Sequence, residues 1–466
     1  MMITLPRVAI LFACLTASAQ TSDPLKPLID PAVVQHADGV FRPGTTPGTE
    51  EALLPILYPS SHAANVIPLR DGGLAAVWFS GTWEGQSGVG IVFSRLDNGS
   101  KQWSKTVLID RHEGESYQNP IIFQAPDGVL DVWHTTQPAG GGENEAKVLH
   151  TFSHDSGRTW SQPQQDFTKP GAFTRHPIVV MPSGSWLLPL TYVTSKGIGA
   201  GAETNFSATE ISADHGRTWT ECILKGSEAR VQPTVVRASV ARVAIPAITE
   251  YATLGTDGSV TYREAPTTPN PTASPSPSTA TTAPSPAPPA AAKRSPATPA
   301  SDTDTGYVAF FRDRGARWIY RSESPDGCTW TPPTETVLPN NNASVQATRL
   351  RNGHIVIVFD NSQVTKTADG KSTGGLRKPL SIALSTDDGK TWPAVRDIEQ
   401  GREGYGAAEG KPKEPGREEY SYPTVTQQQD GRILVAYTYR RQTIKAVRFD
   451  ESWIRQGRSI GLHRHP

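Results

Sequence analysis

The stretch Ser153-His-Asp155-Ser-Gly157-Arg-Thr159-Trp160 decides how this chain is to be read, because it returns twice. It reappears as Ser212-Ala-Asp214-His-Gly216-Arg-Thr218-Trp219 and as Ser385-Thr-Asp387-Asp-Gly389-Lys-Thr391-Trp392. Each copy follows a strand-like run: Lys147–Phe152, Ser207–Ile211 and Leu380–Leu384. The chemistry is that of a hairpin corner. Asp hydrogen-bonds the backbone N–H groups of its own turn, Gly accepts a positive φ, and Trp offers a large apolar face for packing between sheets. Such a phrase recurring at long spacing predicts radially repeated four-stranded sheets, a β-propeller.

Looser copies extend the series. Ser324-Pro-Asp326-Gly327-Cys-Thr329-Trp330 keeps the Gly, Thr and Trp spacing, with Pro325 standing where Asp belongs. Ser94…Asp97…Gly99…Trp103 is weaker. The Trp steps are 57 (103 to 160), 59 (160 to 219), 111 (219 to 330) and 62 (330 to 392). Five phased units and a C-terminal sheet predict an all-β, six-bladed propeller over residues 51–450. Turn pairs such as Asp71-Gly72, Asp127-Gly128, Asn352-Gly353 and Asp430-Gly431 divide it into short strands.

The 111-residue step holds an insertion at 265–302, built from Pro, Ala, Ser and Thr with almost no large apolar residue. Such a composition buries no core and predicts a disordered or polyproline-like loop within a blade. Residues 20–50 read as an extended segment and 451–466 as a tail. Residues 1–19 read as a signal peptide, with Arg7, the apolar run Val8–Leu15 and the cleavage site Ala17-Ser18-Ala19. Export, periplasmic or extracellular, is the expected location. No later apolar run is long enough to span a bilayer.

With 45 basic and 45 acidic side chains, the net charge is zero. This gives no electrostatic ground for a nucleic acid or an anionic membrane as partner. Beyond the signal segment, Cys222 and Cys328 remain. Export permits a disulfide between them, and two unpaired thiols is the alternative reading. No Cys/His spacing suggests a metal, and no motif implies an organic cofactor.

On its repeated corners, together with Tyr58-Pro-Ser-Ser-His62, Asn119-Pro-Ile-Ile-Phe123, Val231-Gln-Pro-Thr234, Arg377-Lys-Pro-Leu380 and Glu419-Tyr-Ser-Tyr-Pro423, the chain resembles the sialidase superfamily of Asp-box (BNR repeat) propellers. In particular it resembles the bacterial neuraminidase-like proteins, over roughly residues 58–449. The resemblance implies a glycan partner and removal of a terminal acidic sugar. In that family three arginines hold the sugar carboxylate, a Tyr backed by a Glu is the nucleophile, and an Asp is the acid/base. Arginine suits the carboxylate because its planar fork pairs bidentately and stays charged.

Carried over by position, the resemblance assigns the nucleophile to Tyr420 and carboxylate binding to Arg312 and Arg377. Arg441, His134, His176 and Trp83 are further pocket candidates. Three positions depart from the family. His62 stands where the first arginine is expected, Gln232 where the supporting Glu is expected, and Glu84 is the nearest carboxylate to the missing acid/base. Two alternatives follow from these exchanges. One is a polysaccharide lyase acting on a rhamnose–glucuronate linkage, with His62 as base or acid and the arginines clamping a uronate. The other is a glycan-binding propeller without catalysis.

Overall fold

The computed structural model describes residues 29–195, 201–239, 306–363, 377–401 and 418–457, and the backbone path alone of 250–254 and 260–264. The signal segment 1–19, the Pro-rich insertion 265–302 and the last part of the tail lie outside the described residues.

Six antiparallel sheets, blades 1 to 6, ring a common axis. Blade 1 comprises Ser60–Pro68, Leu74–Gly81, Gly90–Leu96 and Val107–Asp110; blade 2 comprises Glu115–Gln124, Leu130–Pro138, Lys147–Ser153 and Gln164–Phe167. In blade 3 the inner strand is interrupted: Ala172–Phe173 and Val179–Val180 both pair with Trp186–Tyr192, followed by Phe206–Ser212 and Thr220–Ile223. Blade 4 is Arg230–Ala238, Gly306–Asp313, Trp318–Ser324 and Thr334–Pro339; blade 5 is Gln346–Arg349, Ile355–Asp360, Leu380–Ser385 and Ala394–Glu399. The first two strands of blade 4 pair directly, Val236 with Val308 and Ala238 with Gly306, so the long insertion leaves and returns at one edge.

Blade 6 joins the two ends of the chain. Tyr420–Gln427, Ile433–Tyr439 and Thr443–Phe449 are completed by Glu50–Leu53, in the register Glu50 with Arg448 and Leu53 with Lys445. Arg448 Nε lies 2.7 Å from Glu50 and Lys445 Nζ 2.9 Å from Glu51, which fixes that register. The segment expected to be extended up to residue 50 also contains a six-residue helix, Pro31–His36. A short helix, Glu451–Arg455, opens the tail.

The core is divided among the blades. Six apolar clusters each lie between neighbours, as where Val77, Phe79 and Phe93 of blade 1 meet Ile122 and Val132 of blade 2. The middle strands are therefore buried on both faces, and Leu74–Gly81 and Ile355–Asp360 are buried throughout.

The repeated corners do what their composition predicts. Asp155 Oδ1 accepts from the N–H groups of Arg158 (3.0 Å) and Thr159 (2.8 Å), and its Oδ2 accepts from the Thr159 hydroxyl at 2.6 Å. Ser153 Oγ accepts from Gly157 N–H at 2.8 Å. The corners at Asp214 and Asp387 repeat these bonds. Asp326 makes them in a loop one residue shorter, with Thr329 N–H at 2.6 Å, so the displaced Asp is functional as a corner. The weakest copy is not such a corner: Asp97 instead accepts from Arg95 Nε at 2.7 Å. Trp160 sets its ring edge-on to Phe93 of blade 1 at 5.3 Å, and Trp392 does the same to Phe310 of blade 4 at 5.7 Å. The corners thus lock one blade onto the previous one, on the face away from the second-to-third strand loops. Cys222 and Cys328 form a disulfide between blades 3 and 4.

Candidate functional site

Four inner strands break register at one level of the axis: between His62 and Asn65, Gln118 and Ile121, Val231 and Thr234, and Ser421 and Thr424. Each break holds a non-glycine residue at positive φ: Ala63 (57°), Asn119 (46°), Gln232 (52°) and Tyr422 (52°). In three of them the next residue is proline, Pro120, Pro233 or Pro423, which has no N–H to donate to the ladder. Each such bulge costs on the order of 1 kcal/mol or more, and three of the four turn their side chain toward the axis, while Ala63 packs in the core between blades 1 and 2. Asn119, Gln232 and Tyr422 all line one axial cavity of about 220 Å³.

Arginines converge on that cavity from blade ends. Arg312 ends the second strand of blade 4, Arg377 precedes the third strand of blade 5, and Arg441 sits in a turn of blade 6. Glu84 reaches in from the loop of blade 1. Arg441 bridges Glu84 Oε2 at 2.6 Å and Glu419 Oε1 at 3.0 Å, and Arg377 meets the same Glu419 oxygen at 2.5 Å. Burial is the largest single influence and opposes charge on Arg377, but Glu419, Tyr422 and Asp360 together outweigh it and hold the guanidinium above its usual range. Arg441 lies 5.7 Å from the ring of Trp83, a residue that does not itself line the cavity.

Arg312 is 1% exposed and is met by two amide oxygens and a tyrosine oxygen: Asn342 Oδ1 at 2.8 Å, Gln232 Oε1 at 3.2 Å and the Tyr422 oxygen at 2.7 Å. Its Nη2 is buried with no hydrogen-bond partner among the described residues. Burial pulls Arg312 down to about 10, still charged at neutral pH. A buried, unsatisfied donor on a charged side chain that lines a cavity is an anion-binding feature.

Tyr420, assigned as the nucleophile by resemblance, is not in this cavity. It packs into the core between blades 5 and 6, 5.4 Å from the Tyr439 ring, and burial followed by Glu399 raises its pKa. Two residues on, the bulge brings Tyr422 to the axis. The period of an unbroken strand would put both tyrosines on one face; the extra residue at Tyr422-Pro423 separates them. The signal was available in the sequence: Asn119-Pro, Gln232-Pro and Tyr422-Pro stand at equivalent places in their blades.

Other candidates divide. Glu84, Gln232, Arg312, Arg377 and Arg441 line the cavity; His62, His134 and His176 do not. His62 is fully buried behind Tyr422, ring to ring at 4.2 Å, with Nδ1 2.7 Å from the Thr438 hydroxyl. Burial, then Arg441, keep it well below its ordinary pKa and so neutral. His134 is buried beside Asp110 at 2.9 Å, and His176 is buried next to Arg175, with burial again lowering its pKa. Sequence reading missed Tyr422, the amides Gln118 and Gln137, and Arg175, which lies beneath Tyr422 in the interruption of blade 3.

Comparison with known proteins places this architecture. The description "BNR repeat-like domain" fits residues 72–288 and 288–435. The chain belongs to the BNR repeat-like family. Among solved structures, this BNR repeat-like protein is similar to the Hadza microbial sialidase Hz136, with 14% identity, TM-score 0.56, 85% of this chain and 67% of that one. It is also similar to the NanB sialidase of Streptococcus pneumoniae, with 10% identity, TM-score 0.55, 90% of this chain and 71% of that one. A third similarity is to the intramolecular trans-sialidase of Ruminococcus gnavus, with 13% identity, TM-score 0.54, 86% of this chain and 97% of that one. At such identity these likenesses establish the propeller fold. No curated protein matched the sequence.

Proposed function

We propose that this protein is an exported glycoside hydrolase that removes a terminal acidic sugar, with Tyr422 as its nucleophile. The observation that carries the reading is the convergence of Tyr422 with Arg312, Arg377, Arg441 and Glu84 on one small cavity. Three guanidiniums suit a sugar carboxylate. A tyrosine oxygen suits an anomeric carbon that already bears that carboxylate when guanidiniums flank both and offset their repulsion, and tyrosine nucleophiles are the recognised exception among glycosidases.

In this reading the substrate carboxylate meets the unsatisfied Nη2 of Arg312 and takes a share of Arg441. Arg441 then loosens its hold on Glu84. A carboxyl without its guanidinium, in a closed cavity, takes up a proton more readily, which is the state a general acid needs. Tyr422, attacking as the phenolate, bonds to the anomeric carbon as the bond to the leaving oxygen breaks and Glu84 protonates that oxygen. Water then replaces Tyr422, with Glu84 accepting its proton. The lyase alternative has less support, because its base would be His62, which is shielded behind the Tyr422 ring.

The test is incubation with a fluorogenic sialoside and, in parallel, a rhamnose–glucuronate oligosaccharide read by the ultraviolet absorbance of an unsaturated product. The expected result is release from the sialoside, lost by on the order of 10³-fold or more in Tyr422→Phe. Undiminished turnover by Y422F, or unsaturated product alone, would overturn the proposal.

A further inference from the structure

Around Tyr422 the charges do not balance. Arg377 and Arg441 share Glu419, and Arg441 also holds Glu84. Arg312 and Arg175 have no carboxylate within ion-pair distance among the described residues. Arg175 is 1% exposed and is held by neutral acceptors of three other blades: Ala64 O (3.1 Å), Pro423 O (2.9 Å) and Ser344 Oγ (3.0 Å). Burial pulls it down to about 10, so it too is charged at neutral pH. Leaving a charge buried without a partner is strongly unfavourable.

The common neighbour of these cations is one ring. The guanidinium carbons of Arg175, Arg312 and Arg377 lie 5.3, 5.7 and 5.2 Å from the Tyr422 centroid. The Tyr422 oxygen accepts from Arg312 Nη1 at 2.7 Å, while no described protein group accepts a phenolic proton from it. A phenol buried in this way leaves its O–H unsatisfied; a phenolate has nothing left to donate.

We propose that Tyr422 rests as a phenolate, the counter-ion of Arg175 and Arg312, and that Arg175 and Gln232 are positioning residues that keep it so. Arg175 supplies a fixed charge beneath the ring and grips the Pro423 carbonyl, which holds the bulge. Gln232, neutral where the resembling family has Glu, binds Arg312 without cancelling its charge. The other charged and titratable neighbours come from every side. Blade 1 contributes neutral His62 and the opposing Glu84, blade 2 contributes Glu143 on the cavity wall, paired with Arg314 of blade 4, and blades 5 and 6 contribute Arg377 with the buried Asp360 near it, Arg441 and Glu419. Burial alone would raise the phenol, but Arg312 and Arg377 outweigh it, and the group falls below its ordinary 10.0. The inference deepens the proposed role of Tyr422, and its readout does not require turnover.

The experiment is near-ultraviolet difference absorbance of the full-length protein against Tyr422→Phe, titrated with pH. Phenolate absorbance present at neutral pH is the expected result. Gln232→Glu is expected to remove that signal at neutral pH and return it only under more alkaline conditions, because a carboxylate on Arg312 competes with the phenolate. Arg175→Gln is expected to shift it in the same direction, and Arg175→Lys by less. A neutral phenol in the wild-type protein, or a Q232E titration that moves to lower pH, overturns the inference. Should R175Q fail to fold by circular dichroism, the wild-type and Q232E titrations still decide. Phenolate absorbance without sugar release would overturn the proposed hydrolase and leave this inference standing.

Discussion

Two tyrosines two residues apart have opposite surroundings. Tyr420 has an apolar core around it, and Tyr422 has arginines. Tyr420→Phe is expected to keep turnover within about twofold of wild type, since it removes no group that lines the cavity. The Y422F variant serves as its opposite, and a matched assay separates the two assignments. Tyr420 carrying the loss and Tyr422 none would return the nucleophile to the position that resemblance suggested. His62 differs from both. Its neutral ring lies beneath Tyr422 and is tied to Thr438. A substitution there is expected to act through the placement of Tyr422, so kcat falls while the pH profile gains no new limb.

At the scale of the element, the corner and the bulge are the two devices of the inner architecture. In the corner, Gly157 sits at φ 90° with its α-carbon against the Phe93 ring of the neighbouring blade. Gly157→Ala therefore meets both a disfavoured backbone region and a filled space. Its expected cost is about 1–3 kcal/mol in chemical denaturation, with the slope unchanged. A variant as stable as wild type would show that the corner yields more than its packing implies.

A second element-level prediction concerns blade 3, where Tyr192 hydroxyl lies 3.2 Å from Glu210 and 2.8 Å from Glu221, with Lys169 on Glu221. Burial first, then Glu221, push Glu210 up to about 8 from 4.5. The folded state therefore binds a proton that the unfolded state has lost between those values. By linkage, this contribution to stability is full below pH 4.5 and is lost as pH rises through 8. Glu210→Gln is expected to flatten the fall in melting temperature across that window; an unchanged pH dependence would rule the group out as its source.

Across the whole molecule, the ring is closed by pieces distant in sequence. Glu50–Leu53 completes blade 6, and the disulfide ties residues separated by 106 positions. Chain-entropy reasoning gives such a crosslink up to about 4–5 kcal/mol, more than many buried contacts supply. Paired Cys222→Ser and Cys328→Ser changes are expected to lower the denaturation midpoint while leaving blade geometry, read by circular dichroism, intact. An unchanged midpoint would mean that interblade packing alone sets stability. The disulfide also agrees with the expected export, since such bonds persist in oxidising compartments.

How much of this was written in the chain differs between fold and site. The repeated corner is local: its Asp, Gly and Thr bond within one turn, so eight residues suffice to announce a blade, and their spacing to predict six. Arg312, Arg377, Glu84 and Gln232 could be nominated because the resemblance to the sialidase superfamily pointed to their positions, with Arg441 as a further pocket candidate. What composition and spacing did not decide was facing. Whether Tyr420 or Tyr422 reaches the axis depends on one extra residue at Tyr422-Pro423, which inverts the strand's alternation. Arg175 gave no local signal at all; its partners lie 111, 169 and 248 residues away along the chain. His62 read as a base or acid and His134 and His176 as pocket candidates, yet burial keeps all three from the cavity, and burial is a property of the closed ring. Local hydrogen bonding fixed the blades, whereas the convergence of six blades on one axis decided which side chains share a site and which charges must balance there.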